Sequence, residues 1–180
     1  TGHHNQFDAL ALLIGFLAIL LYEKNKSKNQ IILPLILLGL SISAKHILIF
    51  FPIWWAVKEK KLINKILILF VPYSIFIISF LPFLPGDLEN IINVLLFEWK
   101  REDGPFWGMF GPKIIHMYFS LQTLFSIILI ALGFVFENKQ LRESFFLYTM
   151  AVVAFSSMMY TQYLAIPLIA LAVFWNWKYF

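Results

Sequence analysis

Residues 31–57 read IILPLILLGLSISAKHILIFFPIWWAV, two apolar runs joined at a lysine and a histidine. A helix of about 13 residues rises only ~20 Å, whereas the hydrocarbon core of a bilayer is ~30 Å thick. Helices that end inside a membrane are tolerated where their ends line a watery cavity walled by protein. We therefore predict two short helices, 31–43 and 46–57, that meet at Ala44 and Lys45.

The composition of the whole chain supports a membrane environment for these runs. Of the 180 residues, 61% are hydrophobic, 18% are aromatic and 13% are charged. A soluble domain is about half apolar and a quarter charged, and one of this size could not hide so much apolar side chain. The chain contains no cysteine, which excludes a disulfide framework, a thiolate nucleophile and a cysteine-based zinc site. We predict an integral membrane protein.

Seven apolar blocks are each bounded by charge, Pro or Gly: 9–22, 31–43, 46–57, 66–84, 114–136, 145–157 and 162–177. The alternation of a barrel strand is missing, and open strand edges do not survive in hydrocarbon. We therefore predict an all-α, polytopic membrane protein with about seven helices, several of them short. The chain opens on TGHHNQFDAL without Met or a signal peptide. We therefore expect residues 1–180 to be a fragment with a single transmembrane domain, and we expect a further N-terminal part with the first external loop upstream of it.

The basic residues predict which loops face the cytoplasm. Ten of the 14 lie in 23–30, 58–65 and 137–144 and at Lys178, against four acidic residues. Such a bias marks cytoplasmic loops. Because these residues form short runs between apolar blocks, the net charge of +4 does not indicate nucleic-acid binding. The heavy use of Lys and Ile favours the cell membrane of a prokaryote.

The N-terminal segment GHHNQFD places four candidate binding residues at a helix mouth on the opposite, external side: His3, His4, Gln6 and Asp8. His4 and Asp8 are four residues apart and share a helix face. They could bind a divalent metal, a phosphate or a sugar hydroxyl. No third ligand follows at a fixed spacing, so we assign no metal site. The alternative is a solvated terminus with an acidic residue near the helix start.

Lys45 and His46 form the second candidate group. A lysine at mid-membrane costs roughly 3 kcal/mol on insertion scales, so Lys45 should face a cavity or a partner. A compact ammonium suits a phosphate, here the head group of a phosphorylated lipid. The alternative is a lysine that snorkels to the interface from a short loop.

Two later segments carry the remaining candidates. In 88–113, an amphipathic helix predicted over 88–99 lies in the interface plane, and Arg101 and Trp107 follow it. Arg could clamp a phosphate and Trp could stack on a sugar, although an aromatic belt with a turn gives the same pattern. Gln162 and Tyr163 interrupt an apolar run, where they could contact substrate or hydrogen-bond between helices.

Four short motifs occur in an order that resembles a known family: HHNQFD (3–8), AKHILIFFP (44–52), LLFEWKR (95–101) with PFW (105–107), and YTQYLAIPL (160–168). Together they look like the membrane half of GT-C fold glycosyltransferases, most like the dolichyl-phosphate-glucose-dependent glucosyltransferases of N-glycan assembly. The resemblance implies an inverting hexosyltransferase. Its donor would be a polyprenyl- or dolichyl-phosphate-linked sugar, used at the extracytoplasmic face, and its acceptor a glycan or a lipid-linked glycan.

The same resemblance assigns roles to three residues. Lys45 and Arg101 would lie near the donor phosphate, and His4 near the acid that activates the acceptor. That catalytic acid belongs to an upstream external loop, so no catalytic residue is assigned within this chain. No cofactor is required by these residues, and a divalent metal is compatible with them.

Two other functions fit the same residues. A transporter or lipid flippase also uses short, Pro-broken helices with embedded polar groups, although it should show polar groups near mid-membrane and a related second half. A non-catalytic membrane subunit would not depend on Lys45 or Arg101. An acidic residue in the upstream external loop would favour the enzyme.

Overall fold

A computed structural model describes residues 3–25, 30–83, 121–155 and 166. Within these residues the chain is helical and contains no strand, which confirms the all-α prediction. Six α-helices are described: α1 (His3–Asn25), α2 (Ile32–Ala44), α3 (Phe51–Lys58), α4 (Leu62–Phe80), α5 (Leu121–Val135) and α6 (Leu141–Phe155). Short 3-10 turns, His46–Leu48 and Leu81–Phe83, follow α2 and α4.

The break between α2 and α3 falls at the predicted position. Helix α2 ends at Ala44, and Lys45 has extended backbone angles, φ −158° and ψ 125°. The Lys45 N–H still donates to the Ser41 carbonyl at 3.1 Å, which closes the last turn of α2. From α2 to the segment His46–Lys58 the axis turns by 119°. The break at Ala44 and Lys45 and the two short helices are therefore confirmed, but the second helix starts at Phe51 rather than at His46, after the 3-10 turn.

Helix α1 is longer than the predicted block 9–22. It begins at His3 and ends at Asn25, and its 23 residues span about 34 Å. The apolar block marks only the middle of the helix, whereas the backbone hydrogen bonds continue through polar residues at both ends. The prediction that this block is one of the short helices is wrong.

The other predicted boundaries shift for the same reason. Helix α4 starts before block 66–84 and gives way to the 3-10 turn at Leu81, and α6 starts at Leu141, before block 145–157. The first part of block 114–136, the end of block 145–157, all of 162–177 except Ile166, and the interfacial helix 88–99 lie outside the described residues. The count of about seven helices therefore stays a prediction.

Helix α3 lies at the centre of the described core, in contact with α4, α5 and α6. Three of its aromatic side chains are buried: Phe51, Trp54 and Trp55. The Trp54 ring lies against the α5 backbone at Gly133, where a Cβ atom would come within 2.9 Å of the ring. Its Nε1 donates to the Leu129 carbonyl at 2.8 Å. The missing side chain of Gly133 thus lets a large aromatic ring pack on α5 with its polar atom satisfied.

Helix α4 is the one helix of the described segments that is long and apolar enough to cross a membrane by itself. Its outward side chains stay exposed, including Leu62 and Phe70 at 71% each and Ile77 at 63%. The core helix of a soluble protein would bury such side chains. The bent pair α2 and α3 meets the same criterion only as a broken span or a re-entrant loop. This apolar surface is compatible with membrane association.

Lys58 joins the end of α3 to the loop between α5 and α6. Its Nζ donates to the carbonyls of Phe136 at 2.5 Å, Glu137 at 3.0 Å and Lys139 at 3.0 Å. These carbonyls lie in the turn directly after the C-terminus of α5, where a lysine also interacts favourably with the helix dipole. Lys58 therefore holds this turn from a different helix.

Two further polar contacts lie at this end of the helices. Arg142 pairs with Glu23, and the Tyr22 hydroxyl donates to Glu59. The structure thus brings the three predicted cytoplasmic loops 23–30, 58–65 and 137–144 to one end, as far as their residues are described. We call this end, formed by Glu23, Lys58, Glu59, Glu137 and Arg142, the basic-loop end.

Candidate functional site

Asp8 and Lys45 form an ion pair at the opposite end of the helices. The Lys45 Nζ atom lies 3.0 Å from the Asp8 Oδ1 atom. Asp8 is buried, with 6% of its surface exposed, whereas 26% of the Lys45 side chain is exposed. Within the described residues the Asp8 Oδ1 atom accepts no hydrogen bond of regular geometry. The positive charge of Lys45 therefore compensates the negative charge of the buried Asp8 carboxylate. The Lys45 side chain keeps part of its surface accessible.

A hydrogen bond between α1 and α2 sets the register that brings the two charges together. The Ser41 hydroxyl donates to the Ala11 carbonyl at 2.6 Å in a buried position. Ser41 precedes Lys45 by one helical turn, and Ala11 follows Asp8 by about one turn. The contact between α1 and α2 therefore places Asp8 opposite the residue at which α2 ends.

Gly15 allows the turn after Lys45 to approach α1 closely. A Cβ atom at Gly15 would lie 2.3 Å from the Leu48 Cδ1 atom and 3.1 Å from the Ser41 Oγ atom. Leu48 belongs to the 3-10 turn and is fully buried. A Cβ atom at position 15 would therefore require the buried Leu48 side chain to shift.

Two tyrosines satisfy the backbone of the bend. The Tyr148 hydroxyl donates to the Ile47 carbonyl at 2.7 Å and accepts from the Phe50 N–H at 3.2 Å. The Tyr73 hydroxyl donates to the Ile49 carbonyl at 2.7 Å. A break between helices leaves such groups without intrahelical partners, and a buried unpaired group is costly. Helices α4 and α6 supply the missing partners.

Sequence reasoning missed Tyr73 and Tyr148. Each is the single tyrosine of a helix that was expected to be apolar, α4 or α6. Single tyrosines of this kind commonly lie at membrane interfaces, so the pattern carries no signal for a contact with a distant turn. The α2–α3 break itself was the signal, because it required partners from other helices.

The remaining predicted site residues divide into two groups. His46 is half-buried and opens the 3-10 turn directly after Lys45. For His3, His4 and Gln6 the structure describes only the backbone, which belongs to the first turns of α1 and places His4 one turn before Asp8. Four further predicted residues lie outside the described residues: Arg101, Trp107, Gln162 and Tyr163.

The ion pair is far from the basic-loop end. Asp8 and Glu23 are separated by 15 residues of α1, which is about 22 Å along the helix axis. The described part of the chain thus has an end rich in basic loops and another end where a partly exposed lysine side chain pairs with a buried carboxylate.

No group of three or more His, Asp or Glu side chains that could hold a metal ion occurs within the described segments. The divalent metal stays a prediction, because the structure describes only the backbone of His3 and His4. The chain matches no known family model, no curated protein and no solved structure.

Proposed function

We propose that the chain is part of a membrane glycosyltransferase that uses a sugar linked to polyprenyl phosphate. The observation that carries the proposal is Lys45, whose side chain is 26% exposed at a bend between two short helices and whose ammonium lies 3.0 Å from the buried Asp8 carboxylate. The donor would enter from the membrane with its head group beside Lys45. The acceptor would be a glycan or a lipid-linked glycan.

The chemistry of such a donor explains why an ammonium is needed at this position. When the sugar leaves, negative charge develops on the phosphate oxygens of the polyprenyl phosphate. A fixed cation stabilises that charge more in the transition state than in the bound donor. Asp8 keeps the Lys45 ammonium in place before the phosphate arrives, so that little reorganisation is required during the reaction.

The proposed reaction balances as a single displacement. The acceptor hydroxyl oxygen forms a bond to the anomeric carbon, and the bond between that carbon and the phosphate oxygen breaks. The electron pair of the broken bond leaves with the polyprenyl phosphate, and the hydroxyl proton passes to a base. The motif resemblance attributes that base to an upstream external loop, and Lys45 serves only the leaving phosphate.

The charge distribution supports the extracytoplasmic face for this site. Lys58 and Arg142 lie at the basic-loop end, about 22 Å along α1 from Asp8. If the basic loops are cytoplasmic, as the positive-inside bias indicates, Lys45 faces the other side. The exposed apolar side chains of α4 would then face lipid.

Lys45→Ala in the full-length protein tests the proposal. We expect a loss of sugar transfer from polyprenyl-phosphate hexose on the order of 100-fold, comparable with the removal of one group that stabilises an oxyanion. Lys60→Ala is the matched control, because Lys60 is exposed near the basic-loop end. Equal activity of the two variants would remove Lys45 from the reaction.

The bent α2–α3 pair is also a feature of transporters, so the same preparation should be assayed for flux. Vesicles that contain the full-length protein would be loaded with labelled polyprenyl-phosphate hexose in one leaflet. Movement of this lipid between leaflets, without transfer to any acceptor and with a dependence on Lys45, would favour a flippase over the enzyme.

A further inference from the structure

We infer that Tyr148 is a positioning residue, whose hydroxyl fixes the turn after Lys45 and thereby holds the Lys45 ammonium beside Asp8. The catalytic consequence rests on the proposed function, whereas the position of the ammonium can be measured without any activity. Neither composition nor motif pointed to this residue, which lies in α6, about 100 positions away in sequence from the turn.

The Tyr148 hydroxyl holds both sides of the turn. It donates to the Ile47 carbonyl at 2.7 Å and accepts from the Phe50 N–H at 3.2 Å. These two groups belong to residues two and five positions after Lys45. Phenylalanine would keep the ring and leave both backbone groups unpaired, which favours a rearrangement of the turn.

The ring of Tyr148 cannot move to follow a relaxed turn. Tyr148 is fully buried, and its ring packs edge-on against Trp54 at 5.4 Å and against Phe51 at 5.5 Å between ring centroids. Both partners belong to α3, the helix that follows the turn. The hydroxyl is therefore a fixed point between α6 and the bend.

Lys45 is sensitive to this fixed point because it is the extended residue between α2 and the 3-10 turn. Its N–H is held by the Ser41 carbonyl of α2, whereas its carbonyl group leads directly into the turn. A shift of the turn would carry the ammonium away from the 3.0 Å contact with Asp8. A looser ammonium is more exposed and reacts faster with reagents for amines.

The test measures the rate at which each lysine is modified by formaldehyde and dimethylamine-borane, with the full-length protein in detergent micelles and peptides quantified by mass spectrometry. In Tyr148→Phe we expect Lys45 to react about three- to tenfold faster, the change that corresponds to the loss of one buried hydrogen bond. Lys58, whose Nζ donates to three carbonyls at the basic-loop end, should react at its original rate.

Lys58 separates positioning from general loosening within the same sample. If Tyr148→Phe merely weakens the fold, Lys45 and Lys58 accelerate together, and the inference fails. It also fails if the Lys45 rate is unchanged. Tyr73→Phe provides a second variant should Tyr148→Phe not fold, because Tyr73 holds the Ile49 carbonyl of the same turn from α4.

Tyr22→Phe is the matched control. It also removes one hydroxyl from a buried tyrosine, but that hydroxyl donates to Glu59 at the basic-loop end. We expect the Lys45 rate in Tyr22→Phe to equal that of the wild-type protein. Acceleration of Lys45 by Tyr22→Phe would show that any lost tyrosine hydroxyl loosens the pair, which contradicts a specific role for Tyr148.

The transfer assay then separates this inference from the proposed function. If Tyr148 acts through Lys45, the variant with both Tyr148→Phe and Lys45→Ala is no slower than Lys45→Ala alone. Independent effects would multiply and would overturn the positioning role. If Lys45→Ala has no effect on transfer, the proposed function fails, while the labelling rates still decide whether Tyr148 positions the ammonium.

Discussion

The Lys45 ammonium lies 3.0 Å from the Asp8 carboxylate, although 36 residues separate the two in the chain. Lys45 ends α2, whereas Asp8 lies in the second turn of α1. The contact joins the N-terminal cluster to the α2–α3 bend. Two segments singled out independently by their polar residues in an apolar chain thus meet in space, on the end of the helices away from the basic loops.

Removal of one member of this pair should cost more than removal of both. Lys45→Met leaves the Asp8 carboxylate buried without its partner, and we expect the free energy of unfolding to fall by about 2–4 kcal/mol, somewhat less than for a fully buried pair. Asp8→Asn in the Lys45→Met background should recover much of this loss. Denaturant unfolding in one detergent measures Lys45→Met, Asp8→Asn and the double variant, and additive losses in the double variant would contradict the pairing.

The sequence predicted the break at Lys45 because two apolar runs too short to span flank a lysine and a histidine. It could not predict that α1 starts at His3, since an apolar block marks only the middle of a helix. It could not predict Tyr148 either. Tertiary packing determines the partner of an unpaired carbonyl, and a single tyrosine in an apolar helix leaves no periodic pattern.

The pair itself was only half predictable. Asp8 and Lys45 were both candidates, because polar residues in a membrane chain usually have a partner or a function. Their contact depends on the Ser41 to Ala11 hydrogen bond and on the absence of a side chain at Gly15, neither of which a pattern of apolar residues records.

Gly15→Ala should destabilise the protein even though alanine is the better helix former. The new Cβ atom would lie 2.3 Å from Leu48 Cδ1, and overpacking of a buried site costs about 1–3 kcal/mol. In a Leu48→Ala background the closest contact disappears and only the 3.1 Å approach to the Ser41 Oγ atom remains, so the same substitution should cost clearly less. Unfolding in detergent measures both effects. An equal loss in both backgrounds would show that Leu48 does not approach Gly15.

Lys58→Met should loosen the basic-loop end. Three carbonyls, of Phe136, Glu137 and Lys139, lose a charged donor, and we expect a loss of about 1–3 kcal/mol in the free energy of unfolding. Lys60→Met, an exposed neighbour, should change it by less than about 0.5 kcal/mol. Hydrogen exchange of the amides in 136–140 would localise the effect. Equal stability of the two variants would mean that Lys58 does not stabilise the turn after α5.

The sidedness of the two ends can be measured directly because the chain contains no cysteine. Lys45→Cys and Lys60→Cys, each in an otherwise cysteine-free full-length protein, would be treated in intact cells with a maleimide that does not cross membranes. We expect Lys45→Cys to be labelled before lysis and Lys60→Cys only after it. Labelling of both from the same side would contradict a site that opens away from the cytoplasm.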